Sequence, residues 1–148
     1  TFIASGNVVF DAPDLEAVRP RIQKRVGALL GAEPVIMFRT VREIEAIVRA
    51  APFGTLVGDS AVKLYVMFLA RMPARRPVFP LLQPKEALEA IGMLRQDVFI
   101  VSRRKAGGGL MYGFPANWIE RELGVPATAR NWSTVTRLLA FARAVPDA

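Results

Sequence analysis

The chain of 148 residues contains no histidine and no cysteine. Those two absences exclude disulfides, thiol nucleophiles, Cys/His zinc sites and Ser-His-Asp triads. Lysine is scarce too: 16 of the 20 basic residues are Arg, and only Lys24, Lys63, Lys85 and Lys105 are Lys. No long hydrophobic run occurs. The longest apolar stretch, around Leu64 to Ala70, falls far short of the about 20 residues a membrane-spanning helix needs. A charged segment followed by an apolar core is also missing, so no secretory signal is read and a cytoplasmic location is the default expectation.

What is present is a globular composition. Hydrophobic residues make up 52% of the chain, enough to offset folding entropy, and the length suits one ordinary domain or two small ones. The net charge is +7. Residues 1–74 carry nine basic and seven acidic side chains, and residues 75–148 carry 11 and six, so most of the excess lies in the second half. A basic half is a footprint for a polyanion. The Arg excess is compatible with phosphate binding, although a compositional bias of the genome produces the same ratio.

Local patterns outline the elements. Thr1-Phe2-Ile3 and Val8-Val9-Phe10 flank Ala4-Ser5-Gly6-Asn7 and read as a tight hairpin. Leu15, Val18, Ile22, Val26, Leu29 and Leu30 recur at helical spacing and predict a helix with one buried face, stopped by Gly31 and kinked or delayed by Pro20. Pro34 to Arg39 reads as a strand. Thr40-Val41-Arg42-Glu43 is a capping box opening a helix that Ala51-Pro52-Phe53-Gly54 ends. Val62 to Ala70 reads as a strand, and Pro73, Pro77, Pro80 and Pro84 mark a connector. Beyond it come strands over Glu86–Ile91 and Asp97–Val101 around a turn containing Gly92. A turn at Gly107-Gly108-Gly109, a helix over Ala116–Leu123 closed by Gly124, and a last helix from about Ser133 to Ala144 follow.

Three stretches in order, Thr1 to Phe10 (TFIASGNVVF), Ala51-Pro52-Phe53, and Pro126 to Val135 (PATARNWSTV), resemble the bacterial family of domains of unknown function numbered 1697. The resemblance implies an α+β fold of two small subdomains, the first ferredoxin-like, and implies no activity. The expected arrangement is a first subdomain over 1–71, the connector over 72–84 and a second α+β subdomain over 85–148. Such families begin with a further strand and helix ahead of the Ser5-Gly6-Asn7 hairpin. The ferredoxin-like unit is therefore expected to be incomplete here, through truncation or through a second copy covering an exposed sheet edge in a homodimer. The family's polar loop is replaced by Arg103-Arg104-Lys105-Ala106-Gly107-Gly108-Gly109-Leu110-Met111, which weakens any site built there.

Two constellations could bind anions. Arg130, Asn131, Ser133, Thr134 and Arg137 cluster at the start of the last helix, where free N–H groups and side-chain donors suit phosphate. The plainer reading is a helix cap with Trp132 as an apolar anchor. Arg103, Arg104 and Lys105 before the glycines form a second patch, without the Lys-Ser/Thr of a phosphate-binding P-loop, so a solvated hairpin tip explains them too. Phe99, Tyr112, Phe114 and Trp118 interleave with basic residues as a single-strand platform requires, yet their apolar neighbours point most of them inward. No carboxylate pair reads as an acid–base or metal site, and no cofactor is expected. The leading expectation is a non-catalytic binding protein for a phosphate-bearing partner, nucleic acid or a small anionic ligand. The alternatives are an enzyme acting on a small anionic or phosphorylated substrate between the subdomains, and an oligomeric structural protein.

Overall fold

The computed structural model describes residues 6–105 and 112–144. The protein is α+β. Its helices are α1 (Leu15–Leu30), α2 (Val41–Ala50), α3 (Ala116–Leu123) and α4 (Trp132–Ala144). Its strands are β1 (Val62–Leu69), β2 (Leu81–Gln83), β3 (Leu88–Leu94), β4 (Asp97–Arg103) and β5 (Ala127–Asn131). They form one sheet in the order β2-β3-β4-β1-β5, with antiparallel pairing throughout.

Both faces of the sheet are covered, so its strands alternate between two cores rather than between core and solvent. Tyr65, Met67 and Leu69 of β1, with Val98 and Ile100 of β4, pack against Trp118 and Ile119 of α3. The alternate residues Val66, Phe68, Phe99 and Val101 meet Ile44 and Ile47 of α2 and Val135 and Leu139 of α4. That double burial explains why β1 reads as a continuous apolar run. It also bears on the subdomain boundary. β1, from before the Pro-rich connector, lies between β4 and β5 from beyond it, so a single sheet spans the connector, and β2 lies within it.

The capping box over Thr40–Glu43 forms as the sequence predicts. The Glu43 N–H donates to Thr40 Oγ1 at 3.2 Å, and the Thr40 N–H donates to Glu43 Oε2 at 2.7 Å. Partial burial would raise the Glu43 pKa, but these bonds from Thr40 and the nearby Arg39 and Arg95 outweigh it and hold the carboxyl below its ordinary value. Helix α1 starts on Asp14, whose Oδ1 accepts from the Glu16 and Ala17 N–H groups, runs through Pro20 and ends at left-handed Gly31. Its apolar stripe is less covered than its spacing predicts. None of its residues is buried, and Leu29 is 76% exposed.

Three further expectations are corrected. Pro34–Arg39 is not a strand, because among the described residues no strand pairs with it. Instead Arg39 fastens this segment to the sheet. Its Nε and Nη2 donate to Asp97 Oδ1 at 2.9 and 2.8 Å, and Nη2 also reaches the Leu69 carbonyl. The guanidinium lies 5.4 Å over the Phe68 ring. Gly92 is not in the hairpin turn. It sits inside β3 at a register shift, and the turn falls at Arg95-Gln96 between the paired Leu94 and Asp97, with Arg95 at φ 53°. Of the first hairpin, residues 1–5 lie outside the described residues, and Val8–Phe10 forms no strand. The Gly107-Gly108-Gly109 turn also lies outside them. Among the described residues no helix is long and apolar enough to cross a membrane.

Two outcomes follow from these bonds. Burial raises the Asp97 carboxyl above its ordinary value even as Arg39 pulls it down, yet removing it leaves a buried guanidinium uncompensated. Asp97→Ala should therefore cost about 3–5 kcal/mol in urea denaturation, against at most about 1 kcal/mol for Glu89→Ala at the exposed Arg103 pair. Because the folded-state pKa of Glu43 is depressed, its contribution is present above its unfolded value and is lost as pH falls through the folded one. Glu43→Gln should therefore flatten the acid limb of a stability–pH curve, and an unaltered limb would contradict the capping argument.

Candidate functional site at the edge strand

The sequence places Arg130 at a helix start; the structure places it one residue before the end of an edge strand. Ala127-Thr128-Ala129-Arg130-Asn131 is β5, antiparallel to β1 with Tyr65 opposite Asn131 and Val66 opposite Arg130. Alanine has little strand preference, which hides this strand. The signal that could have revealed it is its alternation: Ala127 and Ala129 pack on the α3-side core while Thr128 and Arg130 take the other side. With small residues at these points, α3 can approach β5.

Arg130 is half-buried and well fastened. Its Nε donates to Asn7 Oδ1 at 2.7 Å, and its Nη1 donates to Thr128 Oγ1 at 2.7 Å and to the Ala129 carbonyl at 2.8 Å. Burial lowers its pKa from the ordinary arginine range. The bond to Asn7 joins two stretches 123 residues apart. A third joins them in the core, where Phe53 meets Trp132 edge-on at 5.2 Å. The Gly6-Asn7, Ala51-Pro52-Phe53 and Arg130-Asn131-Trp132 stretches therefore converge on the β5–α4 corner.

Beside this corner is a cavity of about 350 Å³, whose walls include Tyr65, Phe114, Thr128, Arg130, Asn131 and Thr134. Phe114 is 62% exposed and meets the Tyr65 ring at 90° and 5.9 Å. Its backbone approach is set by Gly113, where any Cβ would collide with the Glu86 carbonyl, and by Ser102 Oγ donating to the Gly113 carbonyl at 3.0 Å. Nearby, Lys63 lies 4.8 Å over the Tyr112 ring, and the Tyr112 hydroxyl donates to the Ser60 carbonyl. Burial pushes the Tyr65 phenol pKa up, so it stays protonated at neutral pH.

The other expected residues divide. Thr134 lines the cavity, while Ser133 and Arg137 are exposed on the first turns of α4. Arg103 and Lys105 are drawn into ion pairs with Glu89 and Glu86, and Arg104 bridges to Tyr112. The patch at 103–105 thus lies apart from the cavity lining and is partly neutralised. Of the interleaved aromatics, Phe99 and Trp118 are core residues, whereas Tyr112 and Phe114 are not. The sequence reading passed over Lys63 and Tyr65 as site residues. Among the described residues no group of three acidic side chains gathers as a metal site.

These features define an α+β protein with an aromatic-rimmed cavity, mostly apolar with a few polar residues, beside β5. The chain belongs to the family described as "Protein of unknown function (DUF1697)", whose model matches residues 1–99. The match includes the Asn7 and Phe53 stretches and stops short of β5. No curated protein and no solved structure matches the chain.

Asn7→Ala should destabilise the protein by about 1.5–3 kcal/mol, the worth of a hydrogen bond to a charged group. A thermal melt unchanged by it would show that the Asn7–Arg130 bond does not tie the corner.

Proposed function

We propose that this protein is a non-catalytic binding protein for a phosphate-bearing partner, and that the partner is single-stranded nucleic acid. One observation carries the reading: the exposed ring of Phe114 stands at the rim of a cavity whose other walls include Arg130, Asn131 and Thr134. An exposed ring offers a stacking face to any base, and the polar residues Asn131 and Thr134 of the lining suit phosphate oxygens, with the Arg130 guanidinium adding positive charge from the opposite side of β5. Lys63 over Tyr112 adds a cation beside a second ring. The positive second half of the chain supports the same reading through long-range attraction. A cavity of about 350 Å³ could also hold a small anionic substrate, and the test below separates the two.

Fluorescence anisotropy with a labelled oligonucleotide should show affinity falling steeply as salt rises. Phe114→Ala should weaken binding by about 1–3 kcal/mol, the value of one stacked base. Binding that is indifferent to salt, or equal for a mononucleotide and an oligonucleotide, would favour the small-substrate enzyme instead.

A further inference from the structure

The cavity just described adjoins Ala116, at the start of α3; a second groove lies at the other end of that helix. It encloses about 470 Å³, and its lining includes Arg75, Arg76, Pro77 and Leu81 from the connector and β2, with Arg121 and Glu122 from α3. Three arginines and one glutamate therefore line the groove. The ion pairs among described residues engage Arg19, Arg39, Arg95, Arg103, Lys105 and Arg143, and none involves this groove. Arg75 and Arg76 make no hydrogen bond or ion pair among the described residues. Arg121 is anchored on its own helix by Nε donating to the Asn117 carbonyl at 3.2 Å.

The connector presenting Arg75 and Arg76 is fastened on both sides. Pro73 is buried, Phe79 and Leu81 pack on the α3-side core, and Arg71 Nη2 donates to the Gly124 carbonyl at 3.3 Å. Binding therefore orders little backbone, which removes a main cost of association. Three neighbouring cations repel one another, and an anion placed among them relieves that repulsion. Planar guanidinium forks match phosphate oxygens better than an ammonium would.

We propose that the Arg75, Arg76 and Arg121 groove binds phosphodiester oxygens of the same single strand whose base stacks on Phe114. This rests on the nucleic-acid reading above and extends it to a second contact. The eight residues of α3 span about 12 Å, so a strand laid along the helix meets both places and a mononucleotide meets only one.

The test compares wild type with the exposed-residue variant Arg75→Gln/Arg76→Gln/Arg121→Gln, its fold checked by circular dichroism. Anisotropy is measured with an oligonucleotide of about ten nucleotides at several salt concentrations, with a mononucleotide and pyrophosphate as further probes. The triple variant should bind the oligonucleotide at least about tenfold more weakly, with a log–log salt slope shallower by about 2. Its mononucleotide affinity should not change. Glu122→Gln, which removes the opposing charge, should tighten oligonucleotide binding and tests the groove even if the triple variant misfolds. Unchanged oligonucleotide affinity and slope, with Phe114→Ala still weakening binding, overturns the groove and leaves the nucleic-acid reading intact. Loss of pyrophosphate binding alone overturns the phosphodiester assignment in favour of a small-phosphate site. If wild type binds no oligonucleotide, both readings fall.

Discussion

Strand β1 is hydrogen-bonded along both edges and its second half, Tyr65–Leu69, is buried on both faces. Everything else answers to that constraint. A strand with no wet face needs helices on each side, and α3 supplies one while α2 and α4 supply the other. Its end carbonyls also need donors, and Arg39 supplies one of them at Leu69 while pairing with Asp97. A buried ion pair is weak evidence for net stability, since desolvation consumes much of the attraction. Here it also positions the chain: it sets the irregular Pro34–Arg39 segment against the sheet just before α2 begins.

The same strand builds the site. Residues of β1 facing α3 continue past the core toward the wet end as Tyr65 and Lys63, and both reach rings that arrive from the 112–114 segment. β5 then brings Arg130 and Asn131 alongside, and α4 follows with Thr134 in the cavity wall. The rigid sheet thus carries the donors, and the returning segment carries the exposed ring. The bonds from Arg130 to Asn7, Thr128 and the Ala129 carbonyl also hold the corner together, so Arg130 serves the fold whatever the cavity binds.

Charge is distributed with the same economy. Several carboxylates take a particular cation: Glu43 with Arg95, Glu45 with Arg143, Glu86 with Lys105, Glu89 with Arg103. Around the far end of α3, Arg75, Arg76 and Arg121 gather outside these pairs. The basic second half visible in the composition is a sum over neutralised and exposed groups alike, and only the pairing separates them.

What the sequence determined by itself is local or exclusionary. The capping box at Thr40–Glu43, the Asp14 start and Gly31 stop of α1, and α3 ending at Gly124 all depend on residues within a turn of one another, so their chemistry is legible in order. The absence of His and Cys holds whatever the fold. The tertiary structure alone decided the rest. β5 exists because β1 offers an edge to an Ala-rich segment that has little preference of its own. Pro34–Arg39 has the apolar run of a strand but no described strand to pair with, and Gly92 lies inside β3 at a register shift opposite Phe99 rather than in the turn. Arg103 and Arg75 are alike in sequence, yet one pairs with Glu89 and the other is in no ion pair among the described residues, a difference set by contacts far along the chain. Backbone signals are carried by neighbours in sequence; the partners that make a strand or a binding group are neighbours only in space.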